Sequence, residues 1–266
     1  MTLIIGVRCG DGIVIGSDSV TTYSSFSGQP TIEQEIDTKV RIINNNALYA
    51  SAGEVGPSQD ILSALESNWT KISRRPKYHT VKKELSDTIS GQIKHYARRK
   101  EETLVTPGRN NSFVTEVGIA CVLAVPIADE HHLFLFDQHG NPEEYRSELP
   151  IVTVGSGQVQ ADPFLAFVKR VAWNDKQPAT VKQGIAGVLW TLQYVIARNS
   201  ALGVGGQPSI GILEKADRNW EISVHKLGSE RLSMHIDAIT NAEQSLFDHL
   251  NEHVTPTTLP PRSTRN

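Results

Sequence analysis

Met1-Thr2-Leu3-Ile4-Ile5-Gly6-Val7-Arg8-Cys9-Gly10-Asp11-Gly12-Ile13-Val14-Ile15-Gly16-Ser17-Asp18-Ser19 opens the chain, and its reading governs everything after it. Two short apolar runs, Leu3–Cys9 and Ile13–Ser17, flank a Gly-Asp-Gly turn. They are near-continuous rather than alternating, as expected of strands covered on both faces. Paired as a hairpin, they leave the turn at one end and bring Thr2 beside Asp18 at the other. A hydroxyl, an amine next to it and a buried charge nearby are what an N-terminal nucleophile requires.

Composition narrows the function classes. The 266 residues hold 26 Lys+Arg against 29 Asp+Glu, a formal net charge of −3, so charge balance makes no case for nucleic acid as a partner. The basic clusters Arg74-Arg75-Pro76-Lys77 and Arg98-Arg99-Lys100 read as solvated helix ends and turns. No run of eighteen apolar residues spans a membrane, and Leu3–Val7 is too short for a secretory signal, so the expected compartment is the cytoplasm. Cys9 and Cys121 lie in apolar runs and read as buried free thiols rather than a disulfide or metal framework.

The rest of the chain follows the same logic. Residues 19–37 form an excursion out and back, a longer hairpin or loop. Lys39–Ile43 and Ala47–Ala52 read as strands around an Asn44-Asn45-Asn46 turn. Ile61, Leu62, Leu65, Trp69 and Ile72 mark one amphipathic helix, broken at Pro76; Val81, Leu85, Ile89, Ile93 and Tyr96 mark a second. Val117–Ile127, Leu133–Phe136 and Ile151–Val154 read as strands. A helix carrying Phe164, Leu165, Val168 and Val171 follows, then the clearest helical stripe of all, Val181 to Ile196. Ile210–Glu214 and Trp220–His225 pair as strands, and a last helix runs from Ile236 to His253. Residues 255–266, with Pro256, Pro260 and Pro261, read as a disordered tail.

Strands, two helices, strands, two helices, strands, with no linker and no repeat, suit two sheets packed face to face under outer helix pairs, in one domain. A ferredoxin-like duplication is the competing arrangement. His131-His132 beside Asp129-Glu130 reads as a solvated turn rather than a metal site, because neighbours on a strand point to opposite faces. The glycines at 155–157 and 203–206 lack the spacing and the lysine of a phosphate-binding loop.

At this point the residues resemble proteasome β-subunits and their stand-alone bacterial relatives, which are N-terminal nucleophile hydrolases. The opening Thr2-Leu3-Ile4-Ile5-Gly6-Val7, Asp11-Gly12-Ile13-Val14-Ile15 and Asp18-Ser19 is similar to that family's Thr-x-x-x-Gly, Asp-Gly-Val-Val and Asp-Ser. Lys39, Ala52-Gly53, Phe136-Asp137-Gln138-His139-Gly140, Val154-Gly155-Ser156-Gly157 and Gly205-Gly206-Gln207-Pro208-Ser209-Ile210-Gly211 fall in register with its further motifs. The resemblance implies an α+β fold, the four-layer αββα sandwich of the Ntn hydrolases, over residues 2–254.

It also implies a threonine peptidase assembled into rings. Thr2 would become the nucleophile once Met1 is removed, with its own amine as base. Lys39 would hold the hydroxyl, Asp18 would hold Lys39, Gly53 would supply an oxyanion N–H, and Ser156 would contact the terminal amine. Thr21, Ser51 and Val55 would line a neutral substrate pocket. The sequence departs from the pattern where Asp-x-x-Ser is expected: Asn199 replaces the acid, Leu202 removes the hydroxyl, and Ser200 is the nearest substitute. Val20 stands where an arginine is usual. The implied substrate is a peptide or unfolded protein, with no metal and no cofactor, and an ATPase partner is left open. A catalytically silent assembly or binding subunit and a non-peptide amidase on the same scaffold are the alternatives. The presence of Thr2, Asp18 and Lys39, with no extension before them, counts against the silent one.

Overall fold

The computed structural model describes residues 2–24, 30–73, 77–104, 117–173, 177–198, 203–217 and 219–253. The expected tail at 255–266 lies outside them. The opening hairpin is strands β1 (Leu3–Arg8) and β2 (Gly12–Ser17), which run antiparallel with Ile4 opposite Ser17 and Arg8 opposite Ile13. A small ribbon follows, β3 (Val20–Ser24) with β4 (Pro30–Glu35), at the position of the expected excursion. Then come β5 (Arg41–Ile43) and β6 (Ala47–Gly53), helices α1 (Val55–Ser73) and α2 (Tyr78–Leu104), and strands β7 (Ile119–Ile127), β8 (Glu130–Phe136), β9 (Pro142–Tyr145) and β10 (Ile151–Gly155). Helices α3 (Gln158–Ala172) and α4 (Val181–Arg198), strands β11 (Ser209–Ala216) and β12 (Asn219–Lys226), and helix α5 (Glu230–His253) complete the order.

Two antiparallel five-stranded sheets result, one ordered β10-β1-β2-β11-β12 and the other β5-β6-β7-β8-β9. They stack face to face, which sets aside a ferredoxin-like duplication. Alternation along the opening strands explains their unbroken apolar character. Leu3, Ile5, Val7 and Val14 pack with Ile185, Val188, Leu189 and Leu192 of α4. Ile4, Ile13 and Ile15 pack the other way, with Leu48, Ala50, Val122 and Leu133 of the second sheet. Beyond that sheet, α1 and α2 bury Ile61, Leu65, Leu85 and Ile89 against Tyr49, Leu123 and Phe134. The layers are therefore helix, sheet, sheet, helix: an α+β fold of the Ntn-hydrolase type.

Three features differ from the sequence reading. Strand β9 was not anticipated, because Pro142-Glu143-Glu144-Tyr145 is short, polar and at a sheet edge. Helix α5 begins six residues before Ile236, with Ser229 immediately ahead of it accepting from the Ser233 N–H through its carbonyl. His131 and His132 occupy no solvated turn. They are buried on β8 and point to opposite faces: His131 Nε2 lies 2.8 Å from the Cys9 carbonyl oxygen, and His132 Nδ1 lies 2.7 Å from Glu144.

Burial on its own would raise the Glu144 carboxyl, but hydrogen bonds from His132, Arg146 and Tyr78 outweigh it and hold the pKa at about 2. Among the described residues no three His, Cys, Asp or Glu side chains gather as metal ligands. No described helix is long and apolar enough to cross a membrane. Both cysteines are free and buried; burial pushes the Cys121 thiol up to about 12 and the Cys9 thiol further.

Candidate active site

The open end of the β1–β2 hairpin gathers the site residues expected from the sequence. Its register places Asp18, just past β2, against the start of β1: the Asp18 N–H donates to the Leu3 carbonyl at 3.3 Å, and the Leu3 N–H donates to Asp18 Oδ1 at 3.0 Å. The Gly205 N–H donates to Asp18 Oδ2 at 3.2 Å. Lys39 Nζ completes the set at 2.6 Å from Oδ1, with side-chain exposures of 6% for Lys39 and 0% for Asp18. A carboxylate this buried is tolerable because its oxygens are hydrogen-bonded and its charge is paired.

Lys39 Nζ also donates to Thr2 Oγ1 at 3.1 Å. The ammonium thus bridges the hydroxyl and the acid. Burial pulls the Lys39 pKa below that of an ordinary lysine, and Asp18 opposes the shift through its charge and hydrogen bond. The turn carrying Lys39 is fixed by a buried hydroxyl chain. Ser17 Oγ lies 3.1 Å from Ser209 Oγ, which lies 2.7 Å from Thr38 Oγ1, and the Val40 N–H donates to Thr38 Oγ1 at 3.0 Å. The sequence reading gave the side chains of Ser17, Thr38 and Ser209 no role, because hydroxyls this far apart in the chain show no pattern that joins them.

Ser156 follows β10. The Thr2 N–H donates to Ser156 Oγ at 3.3 Å, and the Gly157 N–H donates to the Thr2 carbonyl at 3.4 Å. Just before them Gly155 sits at φ +102°, where a Cβ would lie 2.0 Å from the Thr2 carbonyl oxygen. A side chain there would push Thr2 out of place. Gly53, the last residue of β6, has φ +119°, and a Cβ on it would come 1.9 Å from the Gly118 carbonyl oxygen.

Thr2, Lys39, Gly53 and Ser156 line a cleft of about 930 Å³, together with Thr21, Ser51 and Val55. Beneath its wall, Ser51 Oγ and Ser58 Oγ are hydrogen-bonded, with the Tyr49 hydroxyl donating to the Ser58 carbonyl at 3.2 Å. Arg41, Gln59 and Glu66 also line the cleft. The lining therefore includes one charge of each sign beyond the neutral residues expected from sequence. Asn199, Ser200 and Leu202 lie outside the described residues. Val20 begins β3 beside the Gly205 turn, where its side chain would lie 3.3 Å from a Cβ built on Gly205.

A hydroxyl held by a buried, charge-paired lysine, an adjacent backbone nitrogen and a broad cleft can support acyl transfer. Known proteins bear on the same chain. The Anbu (ancestral beta-subunit) structure from Yersinia bercovieri superposes with a TM-score of 0.64 at 15% identity, covering 99% of this chain and 100% of that one. The structure described as the helical assembly of the Anbu complex from Pseudomonas aeruginosa gives 0.65 at 15% identity, covering 99% and 100%. A Gly-1 mutant of Anbu from Hyphomicrobium sp. strain MC1 gives 0.63 at 15% identity, covering 93% and 97%. At that identity these likenesses speak for the fold alone. No curated protein sequence matches the chain. A family model described as proteasome subunit matches residues 2–201. On that match, the chain belongs to the proteasome subunit family.

Proposed function

We propose that this chain is a threonine-type peptidase whose nucleophile is Thr2, freed by removal of Met1, with residues 2–254 acting as one proteasome-type domain. The observation that carries the reading is the chain of contacts from Thr2 Oγ1 to Lys39 Nζ at 3.1 Å and on to Asp18 at 2.6 Å. A threonine at a strand start needs no buried lysine on its hydroxyl, and a lysine 6% exposed needs a reason to be there.

The chemistry follows from these positions. With Met1 attached, the Thr2 nitrogen is an amide and accepts no proton. Once freed it is an amine with an ordinary pKa of about 7.7–8.0, suited to general-base work near neutral pH. Thr2 Oγ1 attacks the substrate carbonyl while its proton passes to that amine. The Lys39 ammonium stabilises the oxygen as it loses its proton, and Asp18 keeps the ammonium charged and aimed.

The Gly53 N–H would meet the developing oxyanion. The amine then returns the proton to the leaving nitrogen as the C–N bond breaks, leaving an ester on Thr2. Water, deprotonated by the same amine, cleaves the ester and restores the hydroxyl. Ser156, at 3.3 Å from the Thr2 nitrogen, orients the base.

The substrate class is a peptide or unfolded protein, processed in the cytoplasm by a self-associated assembly. The helical assembly described for the Pseudomonas aeruginosa Anbu complex, a protein of similar fold, supports the self-association. The decisive experiment takes the intact mass and N-terminal sequence of the purified protein, then exposes it to a peptide epoxyketone or a β-lactone. The expected result is a chain beginning at Thr2 and carrying one adduct there. Retained Met1 with no adduct would sink the reading and favour a silent assembly subunit. Turnover of small amides but not peptides would favour the amidase instead.

A further inference from the structure

The residue after Gly53 makes a contact that neither the fold nor the nucleophile requires. Gly53 ends β6 at φ +119°, a conformation suited to glycine alone, so no side chain of its own anchors this backbone. Glu54 supplies the anchor. Its N–H donates to the Gly118 carbonyl at 2.9 Å, and its carboxylate Oε1 accepts from the Gly118 N–H at 2.9 Å. Residues 54 and 118 are thereby closed into a ring by main chain and side chain together. Lys100 Nζ, from the last turns of α2, donates to the same Oε1 at 2.5 Å. The Gly118 carbonyl held by the Glu54 N–H is also the atom that a Cβ on Gly53 would strike at 1.9 Å. Any shift of residue 118 is therefore felt directly at residue 53, and both line the cleft.

We propose that Glu54 is a positioning residue that fixes the Gly53 N–H toward the oxyanion by clasping Gly118, the residue just before the neighbouring strand β7. The proposal rests on the hydrolase reading above. A plain stability role accounts poorly for the contact. The Glu54 and Lys100 side chains are 38% and 31% exposed, and pairs that open to solvent contribute little to folding. What the arrangement does instead is tie the approach to β7 and the end of α2 to the backbone at the end of β6, where Gly53 has no side chain to hold it. Oxyanion donors act only where their geometry is fixed before reaction, so a loosened Gly53 loses rate rather than substrate affinity.

The test uses the full chain with Met1 removed and follows β-lactone acylation at saturating and sub-saturating concentrations. Amide exchange at Gly118 is measured in parallel. Glu54→Ala should lower the first-order acylation constant about 10- to 100-fold, leave the half-saturating concentration within about threefold, and speed Gly118 exchange more than about tenfold. Glu54→Gln keeps a carbonyl oxygen for the Gly118 N–H and should stay within about threefold of wild type on all three readouts. If Glu54→Ala does not fold, Glu54→Asp, shorter by one methylene, should show the same split between rate and affinity. Wild-type acylation with an unimpaired Glu54→Ala, or a loss confined to affinity, overturns the clamp alone. A wild-type chain that resists the lactone while its Gly118 amide stays protected overturns the hydrolase reading.

Discussion

Replacing Asp18 by Asn is the sharpest perturbation of the site, because it changes charge at almost constant shape. Asp18 accepts from Leu3, Gly205 and Lys39 and is 0% exposed. Asn offers one acceptor oxygen and turns its NH₂ toward a group that is itself a donor. At 2.6 Å and an effective dielectric constant of about 20, the lost attraction to Lys39 is about 6 kcal/mol. Removing one member of a buried pair typically costs about 3–5 kcal/mol of stability. At about 2–4 °C per kcal/mol for a chain of this size, melting should fall by roughly 6–20 °C.

The charge has a second effect. Burial already lowers the Lys39 pKa, and Asp18 is what opposes it. Without Asp18 the lysine loses its proton far more readily, and the Thr2 hydroxyl faces a neutral amine. Lactone acylation near pH 8 should fall about 100- to 1,000-fold, a loss on the scale of one electrostatic stabiliser. Differential scanning fluorimetry and mass-resolved acylation, each run from pH 6 to 10, read both effects. An Asp18→Asn protein that melts within about 2 °C of wild type and acylates at the same rate would refute the argument.

Three further outcomes are expected. Activity should follow a bell in pH: it rises as the Thr2 amine loses its proton at about 7.7–8.0, and it falls on the alkaline side below the 10.5 of an ordinary lysine, because burial lowers Lys39. A pH–rate profile of acylation shows it, and an alkaline limb above 10.5 contradicts it. Glu144, held at about 2 in the folded chain against an ordinary 4.5, favours the fold fully above pH 4.5, and that contribution is lost as pH falls through 2. Acid titrations of Glu144→Gln should therefore show a flatter decline across that window, with a loss of about 2 kcal/mol at neutral pH from weakened charge-assisted hydrogen bonds. Gly53→Ala should destabilise the chain by about 2 kcal/mol or more and abolish acylation, since its Cβ would sit 1.9 Å from the Gly118 carbonyl oxygen; a stable, active Gly53→Ala would show that this backbone relaxes.

The opening hairpin was legible because burial on both faces leaves an unbroken apolar run, and the Gly-Asp-Gly turn then fixes which ends meet. The α4 stripe was legible for a different reason: one face meets the core throughout, which writes a 3.6-residue period into the sequence. Lys39 was not. Its placement on Thr2 depends on the buried hydroxyl chain Ser17–Ser209–Thr38, whose members lie far apart in sequence, and only resemblance pointed to it. Strand β9 was missed because an edge strand keeps polar residues on its open side. The early start of α5 was missed because Glu230-Arg231-Leu232-Ser233-Met234 shows little stripe, although Gly228-Ser229 is a serviceable helix-start signal. Glu54 was passed over because a lone acid at a strand-to-helix junction reads as surface until the Gly118 backbone is seen beneath it. His131 and His132 were misread because their polarity suggested solvent, whereas each is satisfied by one buried partner.

The two cysteines have a practical consequence. Cys9 and Cys121 are among the most reactive side-chain types toward electrophiles, yet both are buried and their thiols are held far from the thiolate form. In the folded protein an acylating or alkylating probe entering the cleft therefore meets Thr2 without a competing sulfur nucleophile. Unfolding reverses that order and uncovers both thiols at once. If Thr2 is the nucleophile proposed above, one reagent panel separates two populations: oxygen-directed labelling would count native chains, and sulfur-directed labelling those that have opened.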